Sequence, residues 1–93
     1  MPEQETNPQF NIELPEDLSA EYSNLAIVLH SQSEFILDFV RLLPGQQSAK
    51  VHNRQLLTPD NAKRLSRLLK QHVEAFEQEF GTIVLPEEGS SAN

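Results

Sequence analysis

The run SEFILDFVRLLPG, residues 33–45, constrains the fold most because its densely apolar part, residues 35–43, carries one acid, Asp38, and one base, Arg41, before a Pro-Gly turn signal. Read as a helix, the run has a single apolar stripe, and Ser31 with Glu34 has the form of a capping box. Read as a strand, it is apolar on both faces, with Asp38 in the middle. Its length, its β-branched and aromatic residues and the short HSQS connection before it favour a strand in a hairpin.

Three other segments have the pattern of strands. Residues 10–14 (FNIEL) alternate apolar and polar side chains before Pro15, which is typical of a short, half-buried strand. Residues 22–30 (YSNLAIVLH) have apolar side chains on both sides, which predicts a strand covered on both faces. Residues 49–57 (AKVHNRQLL) extend again after the Pro-Gly turn, and this completes a set of four strands.

A hairpin centred on Gln46 predicts the cross-strand neighbours of the quoted run. It places Asp38 directly opposite Arg54, so the lone acid is interpreted as half of a structural ion pair and not as a catalytic carboxylate. The same register predicts the pairs Leu42–Lys50, Val40–His52 and Ile36–Leu56.

One long helix is predicted from Thr58 to Gly81. Thr58 is a good N-cap, Pro59 suits the first helical position, and Asp60 places negative charge in the first turn. Apolar residues then recur at steps of three and four up to the glycine stop: Ala62, Leu65, Leu69, Val73, Phe76 and Phe80. The polar face is basic first and acidic last, which opposes the helix macrodipole. Residues 82–85 (TIVL) are left as a last short strand or as a segment lying against a partner subunit.

These elements predict an α+β fold, a four-stranded antiparallel sheet with one long C-terminal helix on one face. The covered face is expected to hold Leu25, Ile27, Leu29, Phe35, Leu37 and Phe39. The second face would hold Ala26, Val28, Ile36, Val40, Leu42 and Leu56, with Asp38, His52 and Arg54 among them. No element remains to cover that face, so we expect a homo-oligomer, a dimer or a tetramer. Its predicted interface is Val28, Ile36, Val40, Leu42 and Leu56.

Length and composition predict a single cytoplasmic domain. Ninety-three residues suffice for one domain, taken as residues 9–85, between polar tails 1–8 and 86–93 that we expect to be disordered. The absence of cysteine excludes disulfides and thiolate chemistry. The acidic start MPEQETNPQ lacks the pattern of a signal peptide, and no apolar run has transmembrane length, so no membrane partner is expected.

The charge is unevenly distributed. The net charge is −7, yet all seven Lys and Arg lie between residues 41 and 70, where Asp60 is the only acid, giving 7 − 1 = +6. Lys63, Arg67 and Lys70 would share a face able to bind an anion, so a nucleic-acid-binding or regulatory protein is the alternative function. The net charge, the few aromatics and the lack of a preceding helix argue against nucleic acid as a partner. A solvated face that pairs with acids is the commoner explanation.

No catalytic, metal or cofactor motif is found. His30, His52 and His72 lack metal-ligand spacing, and three glycines cannot form a phosphate-binding loop. Ser31 and Ser33 lie near His30 and Glu34, but such a group is more typical of a turn than of a nucleophile held by a base. We therefore expect a protein that is not an enzyme and needs no cofactor.

Several strings, taken together, resemble a family of small bacterial proteins classed as a domain of unknown function: YSNLAI, HSQSEFILDFVRLLPG, AKVHNR, LTPDNAKRL and FEQEFG. The likeness covers roughly residues 10–83. Members of that family are similar in fold to the export chaperone SecB, with four antiparallel strands followed by a long helix. The resemblance implies oligomerisation and brings no catalytic residues. The expected function is a non-enzymatic, homo-oligomeric interaction protein that binds unfolded or partner polypeptide in a chaperone-like manner.

Overall fold

The computed structural model describes residues 10–86 as three strands followed by one helix. The elements are β1 (Leu25–His30), β2 (Phe35–Arg41), β3 (Lys50–Leu57) and α1 (Pro59–Phe80). The strands form an antiparallel sheet in the order β1-β2-β3. The α+β class with a long C-terminal helix is confirmed, and the fourth strand is wrong. The predicted tail 1–8 and residues 87–93 of the other tail lie outside the described residues.

The segment predicted as the first strand, Phe10 to Leu14, has no regular secondary structure. Its three apolar side chains are exposed by 68% at Phe10, 93% at Ile12 and 80% at Leu14. A strand is stable only when its backbone groups pair with a neighbouring strand. In the described part of the chain the segment has no such neighbour, although its alternating pattern is that of a strand.

The run around Asp38 is a strand, and the turn before it closes a hairpin. The Ser31 N–H donates to the Glu34 carbonyl at 2.9 Å, so these two residues form a turn and not a capping box. His30 is the last residue of β1 and Phe35 is the first residue of β2, and their rings stack with centroids 5.5 Å apart.

The pairing of β1 with β2 determines which side chains share a face. Residues directly opposite each other lie on the same face, and Val28 pairs with Leu37 while Ile27 pairs with Asp38. The predicted grouping of β1 is therefore wrong: Ala26 and Val28 belong to the helix side, and Leu25, Ile27 and Leu29 to the other. Both rows of β1 are apolar, so the pattern fits either phase, and the connection between the strands sets the phase instead.

The helix begins and ends at the residues that the sequence predicts. Pro59 is at the start, and Gly81 follows the last turn with φ of 107°, a conformation that glycine adopts easily. The Thr58 side chain makes no capping bond to the backbone and instead donates to Asp60 Oδ1 at 2.6 Å. That hydrogen bond is the main reason why the pKa of Asp60 lies below its ordinary value.

The helix packs loosely on the sheet. Its first half lies beside the helix-side face and leaves an open cavity of about 250 Å³ lined almost entirely by apolar atoms. We call this cavity the helix groove; its lining residues are Val28, Phe35, Leu37, Leu57, Ala62, Leu65, Ser66 and Leu69. No residue of α1 is buried, and its second half carries exposed apolar side chains beyond the groove: Val73, Phe76 and Phe80.

Residues 82–85 form no strand in the structure. The Ile83 N–H donates to Glu77 Oε2 at 2.9 Å, which holds the chain against the last turn of the helix. Ile83, Val84 and Leu85 remain exposed, so these residues add no burial to the described chain.

Val40 is the one hydrophobic side chain among residues 10–86 that is buried, with 4% of its surface exposed. A typical domain of this size removes more than half of its unfolded surface from water. The described part of one copy therefore has a very small core, centred on β2.

We predict that Val40→Ala lowers the free energy of unfolding by about 2 kcal/mol, because it removes two buried methyl groups and leaves a cavity. Leu68→Ala is the matched control: Leu68 is exposed on α1, and its truncation should change stability by less than about 0.5 kcal/mol. Urea denaturation at one fixed protein concentration measures both. Equal effects of the two substitutions would contradict the assignment of Val40 to the core.

Candidate functional site: an uncovered sheet face

Apart from its middle row on β2, the face of the sheet opposite the helix is apolar and exposed to solvent in the described chain. We call it the open face. Its outer rows come from the two edge strands and its middle row from β2: Leu25, Ile27, Leu29, Ile36, Val40, Val51 and Leu56, around the pair Asp38 and Arg54. Exposure reaches 52% at Leu29 and 59% at Leu56. Contiguous apolar surface of this kind marks an interaction site.

The centre of the open face is the ion pair of Asp38 and Arg54. Asp38 lies opposite Arg54 in the ladder, which is the register that the sequence predicts. Arg54 donates from Nε to Asp38 Oδ1 at 2.7 Å and from Nη2 to Oδ2 at 2.9 Å, a bidentate geometry. Asp38 is only 4% exposed. The hydrogen bond from Arg54 is the main cause that holds the pKa of Asp38 below its ordinary value, against the opposing effect of burial.

The structure divides the five residues predicted as an oligomer interface. Ile36 and Leu56 pair with each other on the open face, and Val40 lies on the same face but is already buried. Val28 lines the helix groove, so its placement on the open face is wrong. Leu42 follows the end of β2, where its N–H donates to Asn24 Oδ1 at 2.8 Å and its carbonyl accepts from Asn24 Nδ2 at 3.0 Å.

A β-bulge explains why the predicted hairpin register fails at one end. The pairs Ile36–Leu56 and Asp38–Arg54 are as predicted, but the register shifts after Phe39. Val40 then pairs with Val51, so the predicted pairs of Val40 with His52 and of Leu42 with Lys50 are wrong. His52 is the additional residue and has no direct partner on β2.

The bulge brings His52 to two residues that precede β1, a cluster that sequence reasoning missed. Ser23 Oγ lies 2.6 Å from His52 Nε2, and Glu21 Oε1 lies 3.6 Å from His52 Nδ1. His52 lies about thirty positions after Ser23 and Glu21 in the sequence, so no short-range spacing predicts that they meet. Together with Phe39 and Asn53 they line a shallow cavity.

The order Ser–His–Glu is that of a nucleophile with its base and acid, but two requirements of that chemistry are missing. The contact between His52 Nδ1 and Glu21 is too long for a hydrogen bond, so the tautomer of His52 is not fixed by the acid. The N–H of Asn24, which follows the serine, already donates to the Val40 carbonyl at 3.1 Å and cannot stabilise an oxyanion. The cluster instead ties the segment before β1 to β3.

Three of the seven basic residues form ion pairs in the described chain. Arg54 pairs with Asp38. Arg41 Nη2 lies 3.7 Å from Glu21 Oε1, and Arg64 Nη1 lies 3.3 Å from Asp60 Oδ2. Within residues 10–86, Lys63, Arg67 and Lys70 form no salt bridge, although Glu74 and Glu77 follow on the same helix. The anion-binding face therefore stays a prediction.

Two further features, metal ligands and membrane spans, concern residues 10–86, the part of the chain that the structure describes. There, no group of three or more His, Asp or Glu side chains is placed to hold a metal ion. In the same residues, no helix combines the length and the apolar character that a membrane span requires.

Comparison with known proteins finds a family but no function. A family model described as a protein of unknown function (DUF3467) matches residues 1–85. No curated protein matches the chain, and no solved structure does. The likeness to SecB therefore stays a prediction.

We predict that Asp38→Asn lowers the free energy of unfolding at neutral pH and makes this free energy depend less on pH in the acid range. Because the folded-state pKa of Asp38 is depressed, its contribution is present above the unfolded-state pKa of about 4 and is lost as the pH falls through the folded-state value. Urea denaturation across this range measures the effect. Asp17→Asn, in the exposed turn before β1, is the control. The prediction would be contradicted if the free energy of unfolding fell as steeply with decreasing pH in Asp38→Asn as in the parent chain.

Proposed function

Because the chain belongs to the DUF3467 family of proteins of unknown function, whose name assigns no activity, we propose a function from its surfaces: a non-enzymatic, homo-oligomeric interaction protein that binds apolar polypeptide. The observation that carries the proposal is the amount of apolar surface outside the core. In the described chain Val40 is the one buried hydrophobic side chain, while the open-face residues of β1 and β3 and the second half of α1 are in contact with solvent.

The open face suits a second copy of the chain. Two sheets pack face to face at a distance of about 10 Å when apolar side chains interdigitate between them. The charges of Asp38 and Arg54 are already matched within one copy, so covering them leaves no unpaired carboxylate. A two-fold axis through this face would bring the same apolar rows of both copies together.

The helix groove suits side chains of a bound polypeptide. Its volume of about 250 Å³ exceeds that of a single aliphatic side chain, and its lining is apolar. The exposed side chains of Val73, Phe76 and Phe80 continue the apolar stripe beyond the groove. An extended or unfolded chain could be held there by side-chain burial without recognition of a particular sequence. The predicted likeness to an export chaperone agrees with this role.

We predict that Leu29→Asp and Leu56→Asp each dissociate the oligomer, because a carboxylate on the open face would lose its hydration in a covered interface. Both side chains are more than half exposed in one copy, so the substitutions should leave the fold of the sheet in place. Size exclusion with light scattering gives the mass, and circular dichroism gives the helix content.

Leu68→Asp is the matched control, since Leu68 is 53% exposed on α1 and belongs neither to the open face nor to the helix groove. It should leave the mass unchanged. If both open-face variants keep the mass of the parent oligomer, the open face is not the interface.

We predict that the protein suppresses aggregation of an unfolded client and that filling the helix groove removes this activity. Ala62→Leu adds apolar volume inside the groove, where bound side chains would otherwise lie. Light scattering by a reduced, unfolded client protein measures the effect, with the oligomer present at equal concentration.

Ala75→Leu enlarges an alanine on the same helix outside the groove, and it should hold back aggregation as well as the parent chain. Binding of clients in the groove is refuted if the parent chain leaves aggregation unchanged or if both leucine variants behave alike.

A further inference from the structure

The segment Phe10–Leu14 has the sequence pattern of a strand but pairs with no other strand in the described chain. Its apolar residues Phe10, Ile12 and Leu14 alternate with polar ones and are exposed by 68%, 93% and 80%. Pro15 ends the pattern, and the Leu18 N–H donates to the Pro15 carbonyl at 3.2 Å to form a turn. Three large apolar side chains in a row on one side are costly to leave in water.

β1 has a free edge, where its backbone N–H and carbonyl groups have no partner strand in the described chain. β1 and β3 are the two edges of the sheet in the described chain. β1 reads LAIVLH and carries no Lys, Arg, Asp or Glu, whereas β3 carries Lys50 and Arg54. Charged side chains are the usual protection of an edge against pairing with another chain. The unprotected edge of β1, six residues long, therefore matches a segment of five.

Phe10–Leu14 does not pair with β1 of its own chain in the structure, and the residues directly before β1 are fixed at the end of β2. The Tyr22 carbonyl accepts from Arg41 Nε at 3.2 Å, and the Asn24 N–H donates to the Val40 carbonyl at 3.1 Å. These bonds position the start of β1 against β2, and β1 keeps its other edge free in the described chain.

We propose that Phe10–Leu14 of one copy pairs with the free edge of β1 of a second copy, which completes a four-stranded sheet between chains. The exchange is reciprocal, since each copy supplies both a segment and an edge, and a two-fold axis closes it. It places the three exposed apolar side chains beside one of the two apolar rows of β1. The inference rests on the proposed homo-oligomer and specifies one of its contacts.

Disulfide mapping tests the pairing, because the natural chain contains no cysteine. A chain with Ile12→Cys is mixed with a chain carrying Ile27→Cys or, separately, Val28→Cys, and each mixture is mildly oxidised. Ile27 and Val28 point to opposite faces of the sheet, so a paired strand reaches only one of them closely. We expect a disulfide-linked heterodimer, measured by intact mass, that forms severalfold more with one partner than with the other. Gln55→Cys on β3 is the control and should give little.

Three results would overturn the inference: no heterodimer with either partner, equal yields with both, or, in the double variant Ile12→Cys/Ile27→Cys, an intrachain disulfide without any disulfide-linked dimer. The last result would mean pairing within one chain. If the parent chain is an oligomer that Leu29→Asp dissociates, such a failure leaves the proposed function in place. If the parent chain is a monomer by light scattering, both fail.

Discussion

The small amount of apolar surface that one copy can bury is the constraint on which the rest of the structure depends. Ordering a chain of this length costs conformational entropy that burial must offset, and the margin in a folded domain is narrow. In the described chain only the middle strand is well covered, and Val40 is its one buried hydrophobic side chain. The open face, the helix groove and the free edge of β1 are three consequences of the same shortage.

The ion pair of Asp38 and Arg54 makes the open face compatible with being covered. A lone carboxylate at the centre of an interface would oppose association, but a bidentate pair leaves no oxygen of Asp38 without a donor. Arg54 comes from the neighbouring strand, so the pair also fixes the register of β2 against β3. The bulge two residues away turns His52 out of that register and toward Ser23.

The sequence predicted most reliably what local chemistry determines. Pro59 and Gly81 mark the helix ends by their backbone preferences alone, and Asp38 opposite Arg54 follows from one acid in a mostly apolar strand and a hairpin centred on Gln46. The phase of β1 could not be predicted, because both of its rows are apolar and either can face the helix. The bulge at His52 could not be predicted either, because an additional residue in a strand leaves no distinct sequence pattern. The alternating pattern of Phe10–Leu14 predicts a strand within one sheet, but in the described chain this segment has no neighbouring strand.

The claim that association completes this fold is tested most directly by thermal unfolding over roughly a hundredfold range of protein concentration, since binding of folded copies stabilises them by mass action. We predict that Tm rises steadily with protein concentration and that the helix signal and the light-scattering mass are lost together on dilution. A Tm that stays constant, with a folded monomer at the lowest concentration, would contradict it.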